Sequence, residues 1–434
     1  MFANRLYNNL FKRNFNEIKK GGVSIFIRKS FTLFKIIFLL PLYVPSTLFF
    51  LIIYLLKPLI LIRFVNLQSS RIGHFLANTE LFLCEKEFGI NKSKNLIIDI
   101  FFFKDACNKQ VAKMWRRKLL ILPNFIIKPT FNLIKIFSLL FPSLKIHIAS
   151  SVQEDRDIFN LIDKVSPHID FTIDEIEKGQ KFLNKFGLTK KSKFVCLIVR
   201  DDAYLKDRYP EKNWSYHSYR NYNIENFYDA ANALTERGYF VFRMGSKVEK
   251  QFNNKNKMII DYANLPDRSD FLDIYLGAKC DFCISTSCGF DAIPFVFRRP
   301  IAYITVPIQN FFTNSNNFLI MTKHHFSKEL NRRLKFSEIL ELGLINCQNS
   351  KDYQDKNIDL IENSSEEIKD FVIEMMDRYE NKWIENDENL KIQEKFWKNY
   401  KDNLFKNKNI KKLHGKLLAK MSVVFLKKNT EWLL

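Results

Sequence analysis

The feature that most narrows the folds open to this chain is a recurring unit: a short apolar run that stops abruptly at polar residues, in alternation with helical patterns. Lys193–Arg200 (KFVCLIVR), Tyr239–Met244, Met258–Tyr262, Cys280–Ser285 and Ile301–Thr305 are such runs, and Asn223–Arg237, Ser269–Ala278 and Gly289–Phe297 carry helical periodicity among them. Strands that are apolar on both faces and alternate with helices call for a parallel sheet covered on both sides. A helix over Ile173–Phe186 precedes the series; Thr172 and Glu175 form a capping-box pattern at its start, and Gly187 closes it. The same alternation occurs earlier, with runs at Leu59–Leu67 and Asn95–Phe103 and helical patterns at Phe75–Phe88 and Asn108–Lys118.

The expected fold is therefore α/β, with two Rossmann-like lobes built on parallel sheets. A length of 434 residues is ample for two cores. Apolar density falls around residues 149–170, which sets the lobe boundary. The expected organisation is a basic, hydrophobic membrane-associated segment (1–57), an N-terminal lobe (58–165), a C-terminal lobe (166–330), and helices with a basic amphipathic tail (331–434).

The net charge of +21 raises nucleic acid as a partner. Its distribution points elsewhere. The excess lies in the N-terminal segment, in 106–153 and in 403–430, each rich in Leu, Ile and Phe and reading as helical, not as a strand platform of interleaved aromatic and basic residues. Basic and apolar together, with 43 Phe in the chain, suit an anionic membrane surface. Ile36–Leu56 is uncharged and long enough to span a bilayer, but Pro41 and Pro45 interrupt it and Lys57 and Arg63 follow it. A hairpin or monotopic anchor at the cytoplasmic face of the inner membrane fits better than a span that would export the rest, and a buried helix of the fold is the third reading. The tract 106–153 has no Asp or Glu; it reads either as a lipid-docking surface or as a helical part of the first lobe with a solvated basic face. The seven cysteines follow no disulfide framework and suggest reduced thiols. Cys280, Cys283 and Cys288 make at best half a zinc site, so no metal is expected.

In open α/β sheets ligands bind beyond the carboxyl ends of strands. Here those ends are Arg200-Asp201-Asp202, Arg243-Met244-Gly245-Ser246, Asp261-Tyr262-Ala263 and Ser285-Thr286-Ser287-Cys288-Gly289. The last is a hydroxyl-rich turn with Gly at a helix start, where free amides hold phosphate; helix capping by Ser and Thr is the plainer alternative. Arg200 and Arg243 end neighbouring strands, and Arg220 and Arg268 precede helices, so each can clamp a diphosphate or sit in a structural salt bridge. In the first lobe Arg71, Gly73, His74, Asn78, Thr79 and Glu80 follow the first strand. His74, Glu80 and Asp99 are candidate bases for deprotonating an acceptor hydroxyl, and the sequence does not choose among them.

The stretches SSRIGHFLANTELFL (69–83), VRDDAYL (199–205), YRNYNIENF (219–227), FRMGS (242–246), YANLPDRSDFLDIYLGAKCDFCISTSCGFDAIP (262–294) and NSSEEIKDFVIEMMDRY (363–379) resemble a family of bacterial glycosyltransferase-like proteins of surface-polysaccharide loci. The resemblance implies a GT-B-like fold, a nucleotide-sugar donor in the C-terminal lobe and a glycan or lipid-linked acceptor in the N-terminal one. It implies no cofactor beyond the nucleotide-sugar co-substrate, and metal independence. The rival from another class is a non-enzymatic membrane-peripheral scaffold of a polysaccharide assembly complex.

Overall fold

The computed structural model describes residues 43–433, apart from 91, 153–155, 209, 307–314, 407–414 and 417, together with 23, 25, 27 and 30. The basic N-terminal stretch and the first part of the 36–56 run lie outside the described residues. In chain order the elements are α1 (43–56), β1 (Ile60–Asn66), α2 (Ile72–Glu87), β2 (Leu96–Phe102), α3 (Lys109–Lys118), α4 (Asn124–Leu140), β3 (Ile148–Ala149), α5 (Ile173–Asn184), β4 (Lys193–Ile198), α6 (Ala203–Arg208), α7 (Tyr228–Glu236), β5 (Tyr239–Arg243), β6 (Ile259–Ile260), α8 (Asp270–Lys279), β7 (Phe282–Ser285), α9 (Ala292–Val296) and β8 (Ile301–Thr305). They continue with β9 (Phe318–Thr322), β10 (His324–Ser327), β11 (Arg332–Arg333), α10 (Phe336–Glu341), α11 (Ser350–Gln354), β12 (Ile358–Ile361), α12 (Ser365–Tyr379), α13 (Asp387–Lys406), β13 (Lys420–Met421), α14 (Val423–Lys428) and α15 (Thr430–Leu433).

The chain forms two compact units. The smaller holds the described residues up to Asn66 with Ser93–Phe103 and Leu120–Ala149; the larger holds Leu67–Lys92, Lys104–Leu119 and everything from Ser150 onward. This differs from a single cut near residue 165. Helices α2 and α3 belong with the larger unit, where α2 packs on α9 and α3 on α8.

In the smaller unit β2, β1 and β3 form a parallel sheet in that order. Ile53 of α1 and Ile127, Phe131 and Ile134 of α4 bury against Phe64, Ile100 and Phe102 of the sheet. No helix among the described residues is long and apolar enough to cross a membrane.

The larger unit is built on a seven-stranded sheet, β13-β9-β8-β7-β4-β5-β6, parallel throughout. From β4 the chain runs outward through β5 and β6, then returns to place β7 on the other side of β4. The C-terminal region, read as all-helical, contributes strands as well: β13 extends this sheet, and β11 and β12 flank β10 in a small antiparallel one. The tail is not a free amphipathic segment. Met421, Phe425, Leu426 and Trp432 are buried in the large core, and Glu374 of α12 receives the amides of Val423 and Val424 and the Ser422 hydroxyl.

One carboxylate fixes α3 to α5. Glu175 completes the capping box with Thr172 through Oε2, while its Oε1 accepts from Gln110, Arg117 and Lys113 of α3. Burial alone would raise its pKa, but these donors outweigh burial and hold it at about 2. A carboxyl depressed in the folded state contributes stability above its unfolded pKa, and that contribution is lost as pH falls from the ordinary value of 4.5 towards 2. Urea unfolding midpoints should therefore drop across this range in the wild type, and Glu175→Gln should flatten that part of the profile while lowering stability at neutral pH.

Candidate functional site

The reversal of strand order between β4 and β7 creates a topological switch point, the place where an open parallel sheet leaves a crevice at its carboxyl edge. Ile198 pairs with Ser285 across these two strands, so the segments that follow, Val199–Asp202 and Thr286–Asp291, emerge side by side. Two hydrogen bonds tie them. The Arg200 amide donates to Thr286 Oγ1 at 2.7 Å, and the Thr286 amide donates to the Ile198 carbonyl at 3.1 Å.

The turn after β7 satisfies its own polar groups around Asp291. The Ser285 hydroxyl and the Cys288 amide donate to the Asp291 carboxylate, and the Ser287 amide donates to Ser285 Oγ at 3.0 Å. Burial pushes the Asp291 carboxyl up to about 7 against the pull of these donors. Ser287 sits at φ 66° with its hydroxyl buried and without a hydrogen-bond partner, a conformation that costs about 1–3 kcal/mol for a residue with a Cβ and marks an over-determined position. Gly73, in the first turn of α2, lies against this turn: a Cβ there would sit 3.4 Å from Gly289 Cα. The start of α2 carries no side-chain cap. The uncapped start of α2 thus meets the Gly289 turn beside the crevice.

Positive charge converges on the same place. Arg200 is mostly buried, and its Nε and Nη2 have no hydrogen-bond partner; the same holds for Arg220 Nε. Burial first, then the neighbouring Arg220, lowers the pKa of Arg200. His217 is held down to about 4 by burial and by the charges of Arg220, Arg200 and Arg71. The Arg220 guanidinium contacts the Tyr219 ring and, at 3.4 Å, His217 Nδ1. Buried guanidinium nitrogens with no protein acceptor constitute a demand for an anion.

A frame of buried polar residues holds the Arg220 loop against Arg200. The Tyr222 amide donates to the Arg200 carbonyl, and its hydroxyl to Asn363. Lys323 donates to the Asn221 carbonyl at 2.5 Å and lies over the Tyr222 ring; burial lowers its pKa to about 8, with Glu362 opposing. Glu362 in turn accepts from the Asn223 amide. None of Lys323, Glu362, Asn363 or Asp291 stood out in sequence. Asp291 alone carried a signal, as the polar residue one helical turn beyond the hydroxyl-rich strand end.

Among the residues expected at the site, the structure brings together Arg200, Arg220, Ser285, Thr286, Ser287 and Gly289, with Gly73 against them and Arg71 close enough to act on His217. It places others in structural roles. Arg243, 1% exposed, is tied to Asp261 and to the Lys250 carbonyl, so its fork is already engaged. Asp201 accepts the Ala203 and Glu249 amides and pins one loop to another. Gly245 is required by packing, since a Cβ would lie 2.6 Å from Val248 Cγ1. Arg268, just ahead of α8, pairs with Asp273 in its first turn. Of the candidate bases, Asp99 is buried in a two-pronged pair with Arg63 in the smaller unit. Glu80 is fully buried on α2 against Arg298, at 2.6 Å, and His168. Neither carboxylate is presented to a ligand. The Glu80, Cys84 and His168 side chains come close enough to suggest a metal, but the Arg298 guanidinium already neutralises Glu80 there, and burial raises the Cys84 thiol to about 12. Thr79 donates to the Phe75 carbonyl within α2, and Asn78 lies half-buried on the same helix. His74, the third candidate base, lies half-buried in the first turn of α2, next to Gly73.

No protein-family model matches the chain, and no curated protein matches it in sequence. Solved structures that match include ADP-heptose lps heptosyltransferase II of E. coli, at 13% identity over 60% of this chain and 90% of that one, with a TM-score of 0.35. A glycosyl transferase family 9 protein from Veillonella parvula DSM 2008 matches at 10% identity over 60% of this chain and 85% of its own, with a TM-score of 0.38. Likeness this distant leaves the functional reading to the site itself.

Two measurements separate the site from the scaffold. Removing an unpaired buried charge relieves the ligand-free protein, so Arg200→Met should raise the thermal midpoint by the equivalent of about 1–3 kcal/mol. Glu80→Gln breaks a buried pair and should cost about 3–5 kcal/mol in urea unfolding. Equal destabilisation by both variants would place Arg200 among the structural arginines.

Proposed function

We propose that this chain is a glycosyltransferase, a hexosyl or related transferase, that moves a sugar from a nucleotide-sugar donor to a polysaccharide or lipid-linked glycan acceptor at the cytoplasmic face of the inner membrane. The observation that carries the reading is the pair Arg200 and Arg220 at the switch point, half-buried, with buried and unpartnered guanidinium nitrogens beside the Ser285–Gly289 turn. A nucleoside diphosphate is the anion of matching charge and shape. Planar guanidinium forks take two phosphoryl oxygens at once, and the uncapped start of α2 offers main-chain amides for others.

In the reaction an acceptor hydroxyl attacks the anomeric carbon, the new glycosidic C–O bond forms, and the bond to the diphosphate oxygen breaks with its electron pair leaving on the nucleotide. Negative charge then builds on the departing diphosphate, where two preplaced cations act with little reorganisation. They supply the charge that other transferases take from a divalent ion, so the reaction is proposed to run without metal. His74, which follows the Gly73 that lies against the Gly289 turn, is the proposed base, and Arg71, at the exposed head of the same helix, the proposed guide for the acceptor.

Nucleoside diphosphates and their sugar conjugates should raise the thermal midpoint of the detergent-solubilised protein, by roughly 2.7 kcal/mol of added stability at a hundredfold excess over Kd. Arg200→Ala should abolish that shift and lower turnover by about a hundredfold or more. A shift that survives in Arg200→Ala, or none with any nucleotide in folded protein, would favour the non-enzymatic scaffold.

Bound diphosphate adds negative charge next to a depressed imidazole, so the His217 pKa must rise. Followed by NMR, the ring should titrate near 4 in the ligand-free protein and at clearly higher pH with inorganic pyrophosphate. An unchanged midpoint would move the anion site away from the Arg200 cluster.

A further inference from the structure

The smaller unit has a surface unlike that of the larger one, and it is assembled from two separate stretches of chain. On α1, Leu48, Leu51 and Leu55 are 62%, 49% and 74% exposed; on α4, Ile136, Leu139 and Leu140 are 58%, 69% and 68% exposed. The spacings of three and four residues put each trio along one side of its helix. The two helices are neighbours: Phe50 stacks on Phe137 at 5.6 Å, Ile53 shares a buried cluster with Phe131 and Ile134, and Lys57 at the end of α1 donates to the Ser143 carbonyl just beyond α4. Both helices therefore send one side into the sheet and present large aliphatic side chains on the other. Exposed apolar surface of this kind marks an interaction site.

The charges of the unit identify the partner. Its described residues include a single carboxylate, Asp99, and that one is buried against Arg63. Lys94, Lys135 and Lys145 are exposed, and Lys57 and Lys128 are half-buried. Lys128 runs over the Phe131 ring at 5.3 Å, an apolar stem with a charged tip, and its charged form is disfavoured by burial and by the nearby Lys135. A protein partner of ordinary composition would bring charges of both signs. Leucines rimmed by lysines with no exposed carboxylate complement an anionic leaflet, with acyl chains under the leucines and phosphates at the lysines.

We propose that α1 and α4 together form an interfacial docking face that seats the smaller unit on an anionic lipid bilayer, the helices lying in the headgroup region. This goes beyond a single hydrophobic anchor at 36–56 and narrows the docking part of the basic 106–153 tract. Helix α3, within that tract, is excluded: Lys113 and Arg117 are engaged by Glu175, and Val111, Met114 and Trp115 are buried. The proposal is independent of the transfer reaction.

Co-sedimentation of the full chain with vesicles of phosphatidylcholine, alone or mixed with phosphatidylglycerol, tests it. Wild type should favour the anionic vesicles. The double variant Leu139→Glu/Leu140→Glu should bind at least about tenfold more weakly at any salt concentration, because it removes buried apolar area. Lys135→Ala/Lys145→Ala should lose about fivefold per lysine at low salt and little at high salt. All four positions are exposed, so the fold should persist, which thermal melts verify. Wild-type binding by both variants would overturn the proposal, leaving residues before 43 as the membrane contact. A Leu139→Glu/Leu140→Glu protein that still binds vesicles but changes its mass in light scattering would overturn it in favour of a second copy covering the face.

Discussion

Two half-buried guanidinium groups held close together, with no carboxylate bound to either among the described residues, are costly in a folded protein, and the larger unit is organised around keeping them there. A flexible loop would let Arg200 and Arg220 turn out to solvent. Here Arg200 follows β4, an inner strand of a parallel sheet; its amide is fixed by Thr286 and its carbonyl by Tyr222. Lys323, Glu362 and Asn363 hold the segment that carries Arg220. Each link is a satisfied buried polar group, and together they offset strain that the two arginines alone could not sustain.

Four arginines with carboxylate partners give the contrast its meaning. Arg63 has Asp99, Arg243 has Asp261, Arg268 has Asp273 and Arg298 has Glu80. In each case a carboxylate cancels the charge, and the Arg63 and Arg298 pairs also join separate stretches of the chain. The same residue type serves packing where it is matched and ligand binding where it is left unmatched. Position at a strand end does not distinguish the two, since Arg200 and Arg243 end adjacent strands of one sheet. Pairing does.

That is why the fold was more legible than the site. The strands of the large sheet's centre are continuous apolar runs, and their ends mark the crevice whatever the rest of the chain does. The Thr172–Glu175 capping box is local and readable from four residues. The partner of an arginine is not local: Glu80 and Arg298 are joined across 218 positions, and no pattern in either neighbourhood announces the pair. The two-residue strand β13 and the short β11 and β12 give too little periodicity to be seen, so the C-terminal region read as helical. Assignment of α2 and α3 to the larger unit likewise depends on which surfaces they cover, and amphipathicity reports only that they cover one.

The net charge of the chain resolves into three physically different populations. Some cations are absorbed by structure, as Lys113 and Arg117 are by Glu175, and Lys428 by Glu366 and Asp370. A few form the cluster at the switch point. The rest include the lysines of the smaller unit, which face no carboxylate on their own surface. A sum over the whole chain treats these alike and suggests nucleic acid. Sorted by partner, the first population has no further binding to offer, and the second is a confined site for a small anion. The third is spread among exposed leucines that a phosphate backbone would not cover but an acyl layer would. The location of unmatched charge, and the chemistry of the surface around it, carry more functional information than its total.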